Sequence, residues 1–184
     1  MVKEKYYKLI SKAPKIVADI IGEVEKQNYF AHSIREIELA ILLNQGKHYH
    51  ITTYSSTNTK IKYADITFYD TCCEIRLPEG FESKDDKIIR LTLAHELGHL
   101  IYNIENLKNP ELLENKPKTD EQEIFAWEFA YYLVKKKSDE YKDERGRKFD
   151  KYCFDDIDIK NSILALVNEN KPDLLGSIKK ELFS

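Results

Sequence analysis

The stretch Thr92-Leu93-Ala94-His95-Glu96-Leu97-Gly98-His99-Leu100-Ile101-Tyr102 constrains this chain more than any other. Ile89, Leu93, Leu97, Leu100 and Ile104 recur at steps of three and four, the spacing of one helix face. On such a helix His95 and His99 project from a single face, one turn apart. Two imidazole nitrogens so placed can reach one ion at about 2.0–2.1 Å. Glu96 follows His95 directly and is poorly placed to be a further ligand from the same turn. It can instead reach a water at the metal and act on it as general base. Gly98 is unfavourable in a helix interior by about 1 kcal/mol, so its presence predicts close backbone packing or room for a substrate. A helix of this kind is incomplete alone, because a catalytic zinc takes three protein ligands and an open position.

The rest of the chain must supply the third ligand, and a capping-box signature, Thr119 followed by Gln122, opens a suitable helix from Asp120 to about Lys136. Asp120, Glu121, Glu123 and Glu128 are the acids on it. Glu123, Trp127, Ala130 and Val134 share one helix face, and Ala126 and Ala130 permit close approach to the histidine helix. These features favour Glu123 without excluding Glu121, and a solvated acidic face is the alternative to both.

The two blocks together resemble the ImmA/IrrE metallopeptidases, the DUF955 group. The resemblance rests on T-L-A-H-E-L-G-H-L-I and on E-x-x-A-x-x-F-A-x-x-L-V, which here runs from Glu123 through Ala126, Phe129-Ala130 and Leu133-Val134. It spans roughly residues 47–134 and implies a zincin-like fold, Zn2+ as cofactor, His95, His99 and Glu123 as ligands, and Glu96 as the catalytic base. It also implies a protein substrate such as a helix-turn-helix repressor, in a setting of mobile elements or phages. The chain departs from the family pattern in two places. Trp127 stands where Asn or Asp is usual, and Lys135-Lys136 replaces an ending with proline.

Around these helices the sequence predicts an α+β domain over residues 1–184. Residues 1–46 read as a helical N-terminal part: a helical pattern covers residues 3–28, Pro14 opens a second helix, and Ser33 caps a short helix through Leu43. Three short strands follow, near His48–Tyr54, Ile61–Tyr69 and Cys72–Leu77, forming a small and mainly antiparallel sheet. Ser83 is read as the cap of the histidine helix. Residues 138–184 read as a helical C-terminal part, with helices near 158–169 and from Pro172 to 182.

Composition narrows the function classes. The net charge of −3 argues against direct nucleic-acid binding through a basic face. The Lys135–Lys137 run reads as a helix C-terminus complementing the macrodipole. Neither a membrane-length apolar stretch nor a signal-peptide pattern is present, so a cytoplasmic setting without membrane attachment is expected. The three cysteines, two adjacent, indicate neither a disulfide framework nor a cysteine zinc site. His48 and His50 alternate on a strand and read as ordinary strand residues, and His32 stands alone. No base is designated for Cys72 or Cys73 as nucleophile. Tyr102, Tyr131 and Tyr132 are candidate oxyanion stabilisers. The expected activity is zinc-dependent endopeptidase hydrolysis. The alternatives are a catalytically silent module that sequesters a regulator or antitoxin, and hydrolysis of a non-peptide bond.

Overall fold

A computed structural model describes residues 35–38, 50–55, 62–68, 72–106, 118–140, 142, 145 and 153–183. Among these residues four strands make one sheet: β1 (Arg35–Glu38), β2 (His50–Ser55), β3 (Asp65–Phe68) and β4 (Cys72–Leu77). Four helices follow: α1 (Asp86–Asn106), α2 (Asp120–Glu140), α3 (Asp156–Asn170) and α4 (Leu175–Phe183), the last preceded by a 3-10 turn at Pro172–Leu174. The described part is therefore α+β. The helices expected over residues 3–28 lie outside the described residues.

Spatial order in the sheet is β1-β2-β4-β3, so β4 is inserted between two strands that precede it. The β1–β2 and β3–β4 pairs are antiparallel, whereas β2 and β4 run parallel. Two expectations are corrected here. The sheet has a fourth strand, and that strand falls where a short helix was expected from Ser33 to Leu43. Helix propensity is a weak local preference, and pairing across Arg35↔Thr53 to Glu38↔His50 overrides it. In β3 the residues alternate between half-buried and buried, with Ile66 and Phe68 facing the core. Ile66 pairs with Ile75 of β4, which with Leu77 is buried, so this part of the sheet presents one apolar face.

A tight turn leads from β4 into α1. Gly80 takes φ 73°, a left-handed conformation that costs glycine little, and Ser83 Oγ donates back to the Gly80 carbonyl at 2.7 Å. Ser83 therefore belongs to the preceding 3-10 turn, Phe81–Ser83. The helix is capped by Asp85, whose Oδ1 accepts from the Lys87 backbone N–H at 2.9 Å. At α2 the expected box is formed in both directions. Thr119 N donates to Gln122 Oε1 at 3.0 Å and Gln122 N to Thr119 Oγ1 at 3.3 Å.

The α1 helix is enclosed on nearly all sides rather than on one stripe. From Ile89 to Ile101, Thr92 alone is not buried. It packs along α2 and also reaches β3 and α3. What lets α1 and α2 approach is Gly98: a Cβ built there would meet Ala126 Cα at 2.7 Å and Ala126 O at 3.0 Å. Both readings of Gly98 were open from sequence, and backbone packing is the one the structure shows. Ile159, Ile163 and Val167 of α3 and Ile178 and Leu182 of α4 complete the core from the C-terminal side. No helix among the described residues is long and apolar enough to cross a membrane.

Candidate metal centre

The α1–α2 contact places three potential ligands together. His95 Nε2 and His99 Nε2 stand 3.1 Å apart. Glu123, three residues before Ala126, brings Oε2 to 3.4 Å from His95 Nε2 and Oε1 to 3.9 Å from His99 Nε2. A tetrahedral ion with bonds of about 2.0–2.1 Å has ligand atoms roughly 3.3 Å apart, and the two imidazole nitrogens stand near that spacing. The ligand atoms of His95, His99 and Glu123 all lie within 4.8 Å of one another, and all three residues are buried.

The polar atoms of this group satisfy one another only in part. At most one of the two facing Nε2 atoms can donate to the other, and a carboxylate only accepts. Both Nδ1 atoms are buried with no hydrogen-bond partner among the described residues. Burial holds the His99 imidazole in its neutral form, pushing its pKa well below the ordinary histidine value, and the charges of His95, Lys118 and Lys171 act the same way. For Glu123 burial acts to raise the pKa. The hydrogen bond and charge of His95, with Lys118 and Lys171, outweigh it and leave the carboxyl below the usual range. A neutral His99 imidazole and an ionised Glu123 carboxylate are each in the protonation state that binds a divalent cation. The residues present therefore fit a metal ion held by two imidazoles and a carboxylate.

Glu96 lies beside the triangle. Its Oε1 is 3.9 Å from His95 Nε2 and its Oε2 accepts from Lys118 Nζ at 3.2 Å. The same ammonium is 3.7 Å from Asp65 Oδ1 on β3, and Asp65 is in turn paired with Arg76 of β4. On the other side Lys171 Nζ stands 3.8 Å from Glu123 Oε1. These two lysines offset the charge of two buried carboxylates, which would otherwise be expensive to remove from water. Sequence reading missed both. Lys118 directly precedes the capping box and so sits beside the first turn of α2, a signal that was present. Lys171 reaches the site only through the packing of α3, which leaves no local trace.

Trp127 is one turn beyond Glu123 on α2. Its ring stacks on His95 with centroids 3.9 Å apart and planes at 29°, and His95 meets His99 edge-on at 4.6 Å and 81°.

The remaining candidates separate from this centre. Asp120 and Glu121 are exposed, and the Glu121 carboxylate is hydrogen-bonded to Tyr102, so Glu121 is not in the group. Glu128 is buried but also outside it. Tyr131 donates its hydroxyl to Asp156, and Tyr132 packs edge-on against Tyr131. His32 and His48 lie outside the described residues. His50 begins β2, and Cys72 and Cys73 begin β4. Comparison with protein-family models, curated proteins and solved structures finds no match to the chain.

Proposed function

We propose that the chain is a zinc-dependent metalloendopeptidase of the HExxH type. The observation that carries this reading is the buried group of His95, His99 and Glu123, whose ligand atoms all lie within 4.8 Å of one another, with the Glu96 carboxylate beside it. Bound zinc would supply a Lewis acid that activates water and polarises the scissile carbonyl. Glu96 takes a proton at its site-facing oxygen and returns it to the leaving amine. Lys118, bound to the other oxygen, holds that carboxylate in orientation. The pairing of Lys118 with both Glu96 and Asp65 brings the base next to β3, which lies at one end of the strand order. An extended peptide added along that edge would pass the base. The motif resemblance to the ImmA/IrrE metallopeptidases supports a protein substrate, such as a helix-turn-helix repressor.

One observation favours a second reading. His95, Glu96, His99 and Glu123 are each no more than 6% exposed and Lys118 occupies one oxygen of the base. A module that keeps the metal fold to sequester a regulator would tolerate such closure. Glu96→Gln separates the two. For a peptidase, hydrolysis of a quenched-fluorescent peptide library falls by about 10²–10⁴-fold while zinc content is unchanged. Full hydrolysis by the zinc-loaded variant would overturn the role of Glu96. A co-purifying partner left uncleaved by wild type after prolonged incubation would favour sequestration.

A further inference from the structure

A metal-binding imidazole normally donates its remote N–H to a carboxylate or carbonyl, which fixes the ring. His95 departs from that arrangement, because its Nδ1 is buried without a partner among the described residues. What it has instead is an indole face, stacked at 3.9 Å and 29°. Trp127 is itself 3% exposed and held in the core, so its ring is a fixed wall rather than a mobile neighbour. It lies four residues beyond Glu123, on the same face of α2. One helix thus presents the third ligand and, a turn later, the surface against which a ligand on the facing helix rests.

Resting on the zinc reading above, we propose that Trp127 is a positioning residue for His95, setting the plane of the imidazole by stacking where a hydrogen bond would ordinarily do so. The stack restrains tilt of the ring out of the plane that aims Nε2 at the space between His99 and Glu123. It also favours the loaded state electronically. Coordination withdraws charge from the imidazole, and the electron-rich indole face attracts an electropositive ring more strongly than a neutral one. Through the edge-on contact between His95 and His99, the ordering extends to the second ligand.

Two substitutions distinguish stacking from mere filling of space. Trp127→Phe keeps an aromatic face, whereas Trp127→Leu keeps apolar bulk without one. Zinc affinity, measured by competition with a chelating dye, is expected to fall about 10–100-fold in Trp127→Leu, the range typical of losing a ligand-orienting partner. Trp127→Phe should stay within about threefold of wild type, by the same scale. A folded Trp127→Leu protein with wild-type affinity would overturn the proposal, and so would equal losses in both variants. A second readout needs no variant. Trp127 is the single tryptophan of the chain, so stoichiometric Co2+ should quench most of the intrinsic emission under indole-selective excitation. Stoichiometric binding with unaltered emission would remove the stack from the metal centre. If wild type binds neither metal, the zinc reading itself fails, which is a different result from either outcome above.

Discussion

Helix α2 carries two polar clusters, and they are built on opposite principles. Near its start, Glu123 faces His95 and His99. Two turns on, Tyr131 and Lys135 meet Asp156 at the start of α3. In the second cluster every contact joins a donor to an acceptor. Tyr131 Oη donates to Asp156 Oδ1 at 2.6 Å, and Lys135 Nζ donates to Tyr131 Oη at 3.2 Å and pairs with Asp156 at 3.0 Å. Burial and the Asp156 hydrogen bond push Tyr131 up to about 12. Burial works against ionisation of Asp156, but Tyr131 and Lys135 overcome it and bring the carboxyl down to about 2. The first cluster is the more deeply buried, yet both of its Nδ1 atoms are without a hydrogen-bond partner among the described residues. A complete cluster ties helices together. An incomplete one, at greater burial, has room in its chemistry for a cation.

The largest break in that contrast should come from Glu123→Ala. Zinc affinity is expected to fall by more than about 100-fold, beyond the range of an orienting partner, as read by calorimetric titration with helicity retained. Undiminished binding would mean that another acid completes the set. Gly98→Ala tests the joint that brings the cluster together. A methyl forced against the Ala126 backbone should lower stability by about 1–3 kcal/mol in denaturant unfolding and weaken zinc binding in parallel. Wild-type stability would show that the helices do not depend on contact at this position. The smallest effect belongs to the complete cluster. Tyr131→Phe should lower stability by about 0.5–1.5 kcal/mol, the usual worth of a hydrogen bond, and leave zinc affinity where it was. A shift in zinc affinity would show the two clusters to be coupled along α2.

What could be read from sequence follows the same division between local and distant. His95, Glu96 and His99 are legible because a single helix sets their relations, and the Thr119–Gln122 box because both partners lie within one turn. Glu123 was favoured over Glu121 by motif resemblance and helix face, and the structure places Glu123 in the group and Glu121 at the surface. The strand at Arg35–Glu38 was hidden because its partner is β2, and local periodicity there reads as helix. Asp85 displaced Ser83 as the cap because the Gly80 turn captures the serine hydroxyl first. Trp127 drew notice as an oddity, but its stack on His95 depends on how closely α1 and α2 cross, which no single helix reveals.

That crossing has a thermodynamic consequence. The three ligand atoms come from two helices, and they converge where Gly98 is seated on Ala126. An ion that binds this arrangement and not the unfolded chain adds its binding free energy to the fold by mass action. At a free-metal concentration 100 times Kd that amounts to about 2.7 kcal/mol. The helix joint and the ion site are then one equilibrium seen from two sides, and the apparent stability of the protein becomes a function of how much metal its surroundings hold.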